Sequence, residues 1–134
     1  MANEAVIIEL LGEGASKGSP VRFTCATSME KGTLCKITSP RTIAATAADN
    51  DPFAGVLSAE TVTGVDTTGT VYQHGIFDLL TGAAVTVGER VSIGGANTVS
   101  KVAAADLLFA DVGIALETDG GGGDTIAVLV GSGL

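Results

Sequence analysis

The groups of this 134-residue chain that acid–base, thiol or metal chemistry would use are one histidine, two cysteines and fifteen carboxylates. A Ser-His-acid or Cys-His arrangement has to run through His74, together with a serine or with Cys25 or Cys35. His74 stands in Tyr72-Gln73-His74-Gly75, which reads as a turn, and no G-x-S-x-G frames a nucleophilic serine. His74 therefore reads as a turn residue or a subunit contact. One histidine and two cysteines are too few for a zinc set. The thiols either pair across neighbouring strands or stay reduced in the core, and a cytoplasmic product favours the reduced form.

Two carboxylate pairs invite a hard cation. Asp49 and Asp51 flank Asn50 in DNDP, but no EF-hand spacing continues from them, and a capped turn before Pro52 is expected. Asp119 and Asp124 bracket four glycines, a loop too loose to preform a site. Glu60, Asp66, Asp78 and Glu117 read as solubilising charges at strand ends. GGGGDT lacks the lysine and helix of a phosphate loop, and GEGASKGSP lacks its GK[ST] end. No catalytic, cofactor-binding or metal-binding set is predicted, and no enzymatic activity or cofactor is expected.

The formal net charge of −8 disfavours a nucleic-acid backbone or an anionic membrane as partner. It suits a solvated outer face or a basic partner. The first ten residues carry two glutamates and no basic n-region, so no signal peptide is expected. Nineteen glycines against four Phe, one Tyr and no Trp imply thin layers of small β-branched side chains, with no platform for stacking bases.

The elements that must position these groups are strands. The organising stretch is 51–80, read as strand (Phe53 to Ala59), polar turn, strand from Thr70, a reversal at Gln73-His74-Gly75, then Ile76 to Leu79. Further strands are expected at 5–11, 21–26, 34–37, 90–93, 98–102, 112–117 and 125–130. Segment 42–50 is the best of the weak helix candidates, or else a strand followed by a loop; 103–110 suits one or two helical turns. The predicted class is all-β, a small compact barrel or sandwich, with 1–20 as strand and flexible arm and 21–134 as a single β domain. Two halves, 32–79 and 88–134, echo each other at an offset of 55 to 58 residues: GTLCKI with GERVSI, and PFAGVLSAET with LFADVGIALET. A unit of three or four strands cannot bury its own face, so duplication around a shared core is expected.

MANEAVIIE, KGTLCKITSPRTIAA, DPFAGVLSAE, VYQHGIFDLLTGAAVTVGERVSIGGANTVS and VGIALETDGGGGDTIAVLVG together resemble the capsid cement, or head-decoration, family of tailed phages, over nearly the whole chain. The resemblance implies a small β protein on the outside of an expanded capsid, assembled in the host cytoplasm. It implies a homotrimer at local three-fold positions that clamps adjacent copies of the major capsid protein, with no catalytic residue to carry over. It also implies that residues 1–13 act as an arm by strand addition, with Glu4, Val6, Ile8 and Leu10 as capsid or subunit contacts. Another virion structural protein, a tail or appendage β domain, is the alternative.

Overall fold

The computed structural model describes residues 4–10, 21–103 and 110–131. Eleven strands run in chain order: β1 (Val6–Leu10), β2 (Val21–Cys25), β3 (Leu34–Ser39), β4 (Thr42–Ala45), β5 (Phe53–Leu57), β6 (Thr68–Tyr72), β7 (Gly75–Thr81), β8 (Arg90–Gly95), β9 (Thr98–Lys101), β10 (Asp111–Ala115) and β11 (Thr125–Val130). The described residues contain no α-helix. Segment 42–50 resolves into β4 and a loop, because Ile43 must face the core while Thr42 and Ala44 pair with β3. The helical turns expected at 103–110 fall almost entirely outside the described residues.

The strands close two barrels. β2, β4, β3, β5 and β6 form the first; β7, β9, β8, β10 and β11 form the second, with β1 added outside it. The pairing scheme is the same in both. The first strand runs parallel to the third (β2 to β4, β7 to β9), and every other pairing is antiparallel. Matching ladders carry the same register. Thr24 opposite Thr42 corresponds to Leu80 opposite Thr98, and Val56 opposite Tyr72 to Ile114 opposite Leu129. The sequence echo thus places β3 on β8 and β5 on β10. Strand pairing begins each unit at β2 and at β7, so β7, which segment 32–79 contains, closes the second barrel.

Alternation explains the interior. Val21, Phe23 and Cys25 on β2 turn inward while Arg22 and Thr24 face water. On β7 the odd residues Gly75, Phe77, Leu79 and Thr81 are buried. The first barrel encloses Phe23, Cys25, Met29, Cys35, Ile43, Leu57 and Val71. The second core also takes in Leu34 and Val56 of the first barrel, beside Phe77, Val91, Ile93 and Val128. Small side chains allow close backbone approach: a Cβ on Gly113 of β10 would lie 1.9 Å from the Leu129 carbonyl oxygen of β11.

A buried polar residue joins the units. Asn97 lies at φ 57° in the β8–β9 turn and is buried. Its Oδ1 accepts the Leu34 N–H of β3 at 2.8 Å, and its own N–H donates to the Thr46 hydroxyl at 3.0 Å. Its Nδ2 donates to the Glu4 carboxylate at 3.3 Å. Beside it, the Asn50 N–H donates to the Ile93 carbonyl at 3.2 Å.

Asn97→Ala leaves the Leu34 donor without its partner and puts a Cβ residue without a polar handle in the left-handed region. We expect a loss of roughly 2–4 kcal/mol in urea unfolding. Gly113→Ala is expected to cost at least as much, or to prevent folding, as judged by the same unfolding curve.

Candidate functional site

The groups that sequence chemistry singled out do not converge. His74 is exposed at the junction between β6 and β7, whereas Cys25 and Cys35 are free thiols buried in the first barrel. Burial, and then the neighbouring Cys25, push the Cys35 thiol up to about 12, so it stays protonated. Asp51 caps its own loop. Its Oδ2 accepts the N–H groups of Ala47 (2.8 Å) and Ala48 (2.9 Å) and meets Lys36 Nζ at 3.3 Å. Partial burial raises the Asp51 carboxyl, but these partners outweigh it and hold the group below its ordinary value.

The Asp119 carboxylate organises the glycine loop. Its Oδ1 accepts the N–H groups of Gly121 and Gly122, both at 3.0 Å; its Oδ2 accepts the Thr81 hydroxyl and, at 3.1 Å, the Asp124 N–H. The Thr81 hydrogen bond first, and the loop N–H groups after it, hold Asp119 at about 2. The described residues gather no group of three His, Cys, Asp or Glu side chains.

The surface that stands out is β1. The β7 strand pairs with β11 over Gly75 to Leu80 on one edge, while on the other β9 reaches only Leu80 and Thr81. The remaining edge is filled by β1, with Val6 opposite Asp78, Ile7 opposite Phe77, Glu9 opposite Ile76 and Leu10 opposite Gly75. A bulge between Ile7 and Glu9 breaks the register at Ile8. Ile7 and Ala5 pack on the second core. Val6 and Ile8 point the other way and are 60% and 51% exposed.

The amino-terminal end of this strand is pinned to the first barrel. The Ala5 N–H donates to the Gly32 carbonyl at 2.7 Å, and a groove beside it is lined by Glu4, Val6, Ile7, Lys31 and Leu57. Glu4 turns toward Asn97; desolvation first, and then the Glu30 carboxyl, raise its pKa. Of the four residues named from sequence, Val6 and Ile8 thus form an outward apolar pair, and Glu4 braces the strand. Leu10 contributes its backbone pairing with Gly75.

The corresponding edge in the first barrel is closed differently. Arg22 and Val21 of β2 match Asp78 and Phe77 of β7 in register. There the Arg41 guanidinium donates to the Arg22 carbonyl at 2.6 Å and lies 5.4 Å from the Phe23 ring centroid. Neither this cap nor the β7 slot is visible in sequence, because both depend on which strands are adjacent.

No family model and no curated protein matches the chain. Among solved structures it is similar in fold to the chain described as head fiber gp8.5 N base in bacteriophage phi29. The TM-score is 0.57 at 16% identity, covering 84% of this chain and 92% of that one.

Because Asp119 titrates lower in the folded chain than the ordinary Asp value, its contribution is present above that value, about 4, and is lost as the pH falls towards 2. Urea midpoints measured between pH 6 and pH 2 are expected to drop in this acid window, with a smaller drop for Asp119→Asn.

Proposed function

We propose that the chain is a non-enzymatic structural protein of a phage virion, which binds the outer surface of an expanded head and bridges adjacent major capsid proteins. The observation that carries this reading is β1, an outer strand with an apolar face turned to solvent, paired along β7 of a closed barrel. Such a strand offers a partner both a backbone edge and side-chain anchors. The fold shared with a phage head-fibre base supports the same setting. Three copies about a local three-fold axis would present the same patch to each neighbour, and separating the shell would then break several contacts together. Preference for the expanded lattice would stabilise that state by linkage.

A second reading, the base of an appendage, is favoured by the head-fibre description of the structural neighbour. The two differ in assembly: a clamp forms a closed trimer, and an appendage base carries a fibre or a ring of six.

Light scattering on the purified chain is expected to give a closed trimer; a fibre or a six-fold ring supports the appendage reading instead. Expanded, undecorated heads are expected to bind the protein in co-sedimentation while unexpanded heads do not. Val6→Asp combined with Ile8→Asp is expected to weaken that binding at least about tenfold, as for loss of a central apolar anchor. The melting temperature should stay unchanged, since both side chains are exposed.

A further inference from the structure

The two barrels carry the same turn before their second strand. In the first, Gly32 stands at φ 88°, its N–H donates to the Leu57 carbonyl at 2.9 Å, and Thr33 N–H donates to Glu30 at 3.2 Å. In the second, Gly88 stands at φ 89°, its N–H donates to the Ala115 carbonyl at 2.8 Å, and Glu89 N–H donates to Thr86 at 3.1 Å. The turns are not covered alike. The extended backbone at Ala5 crosses Gly32 so closely that a Cβ there would lie 2.3 Å from the Ala5 carbonyl oxygen. At Gly88 nothing among the described residues stands within 4 Å of the matching point.

The flanking side chains differ in a consistent sense. Lys31 and Ser58 flank the covered turn. Val87 and Leu116 hold the matching positions at the open one and are 56% and 40% exposed.

We infer that the Gly88 turn, with Val87 and Leu116, is a docking site for an extended apolar segment of the shell protein. The inference rests on the virion reading above and names a second contact for it. The molecule already shows what this turn holds, since its twin receives an extended backbone through a single N–H to the turn carbonyl. The exchange of Lys31 and Ser58 for Val87 and Leu116 sets an apolar guest. The Glu4-bearing segment of a second copy is disfavoured at this turn by charge. The segment that covers Gly32 carries Glu4, and residues 75–103 with 110–131 hold six carboxylates against two cations. A neutral or basic segment avoids that repulsion.

The test is titration of expanded, undecorated heads with the full chain and with Val87→Asp/Leu116→Asp, each checked for unchanged melting. The double variant is expected to bind at least about tenfold more weakly. Val65→Asp, at a position 76% exposed on the first barrel, is expected to bind as the unaltered chain does. Unchanged affinity of the double variant overturns the docking site and leaves the virion reading standing. An equal loss in Val65→Asp overturns it too, by showing a general charge effect. If the double variant instead changes the oligomer and keeps shell binding, the patch belongs to a second copy and the inference fails. Failure of the unaltered chain to bind any head overturns the virion reading and this inference with it.

Discussion

The contact on which the arrangement depends is the Asn97 carboxamide. Asn97 is a buried polar residue at the junction of three segments that are far apart in sequence: its Oδ1 meets β3, its backbone N–H the residue after β4, and its Nδ2 the segment before β1. Each closed barrel satisfies most of its own backbone, so the barrels have little intrinsic reason to adopt one relative placement. Apolar contact through Leu34 and Val56 favours proximity but does not fix direction. A residue that offers a carboxamide acceptor, a carboxamide donor and its own backbone N–H does, because leaving any of them unpaired in the interior carries the full desolvation penalty. The requirement extends to the backbone. Asparagine is among the few side-chain-bearing residues that tolerate φ near 57°. Its counterpart Arg41 adopts the same conformation (φ 53°), yet its guanidinium is used to cap β2. One position in a repeated hairpin thus became an internal latch in one copy and an edge guard in the other.

That divergence runs through the molecule. The duplicated framework repeats in pairing order, in bulge position and in turn hydrogen bonds, all of which are backbone properties. Surfaces are where the copies differ. The open stretch of β7 receives β1, whereas the matching stretch of β2 is closed by Arg41. A barrel abolishes edges only where its ladder is complete. Five strands with a two-pair parallel closure leave a residual edge in each unit, and the two units resolve the same liability by different chemistry.

Most of the fold was legible in the sequence because strand alternation and glycine punctuation are local signals. Val-Arg-Phe-Thr-Cys and Gly-Ile-Phe-Asp-Leu-Leu-Thr declare an inside and an outside without knowledge of their neighbours. The offset of the echo was legible for the same reason. The phase of the unit was not, since closure depends on β2 meeting β6 and β7 meeting β11, pairings between residues about fifty apart. The nine-residue segment at 42–50 was ambiguous because alanine and threonine serve a short helix and a short strand almost equally, and burial of Ile43 decided between them. In the first strand, the alternation that turns Val6 and Ile8 outward was readable. The inward turn of Glu4 was not, because its partner Asn97 lies ninety-three residues away.

The distribution of charge bears on how such a chain can meet a partner. Carboxylates that could have made an acidic binding centre are engaged individually: Asp51 by its loop and Lys36, Asp111 by Arg90, Asp119 by the glycine loop. Engaged in this way, they set local structure and leave a negative outer field around the chain. Among the described residues the exposed large apolar side chains are few and sit in separate small sets, Val6 with Ile8 on β1, Val87 with Leu116 beside the Gly88 turn, and Ile37, Val62 and Val65 on the first barrel. Each set alone is smaller than a stable interface needs. A chain built like this gains useful affinity when several sets engage one large object at once, since linked sites add in free energy without a second loss of translational freedom. A repeating protein lattice supplies such an object, and a freely diffusing single-site partner does not.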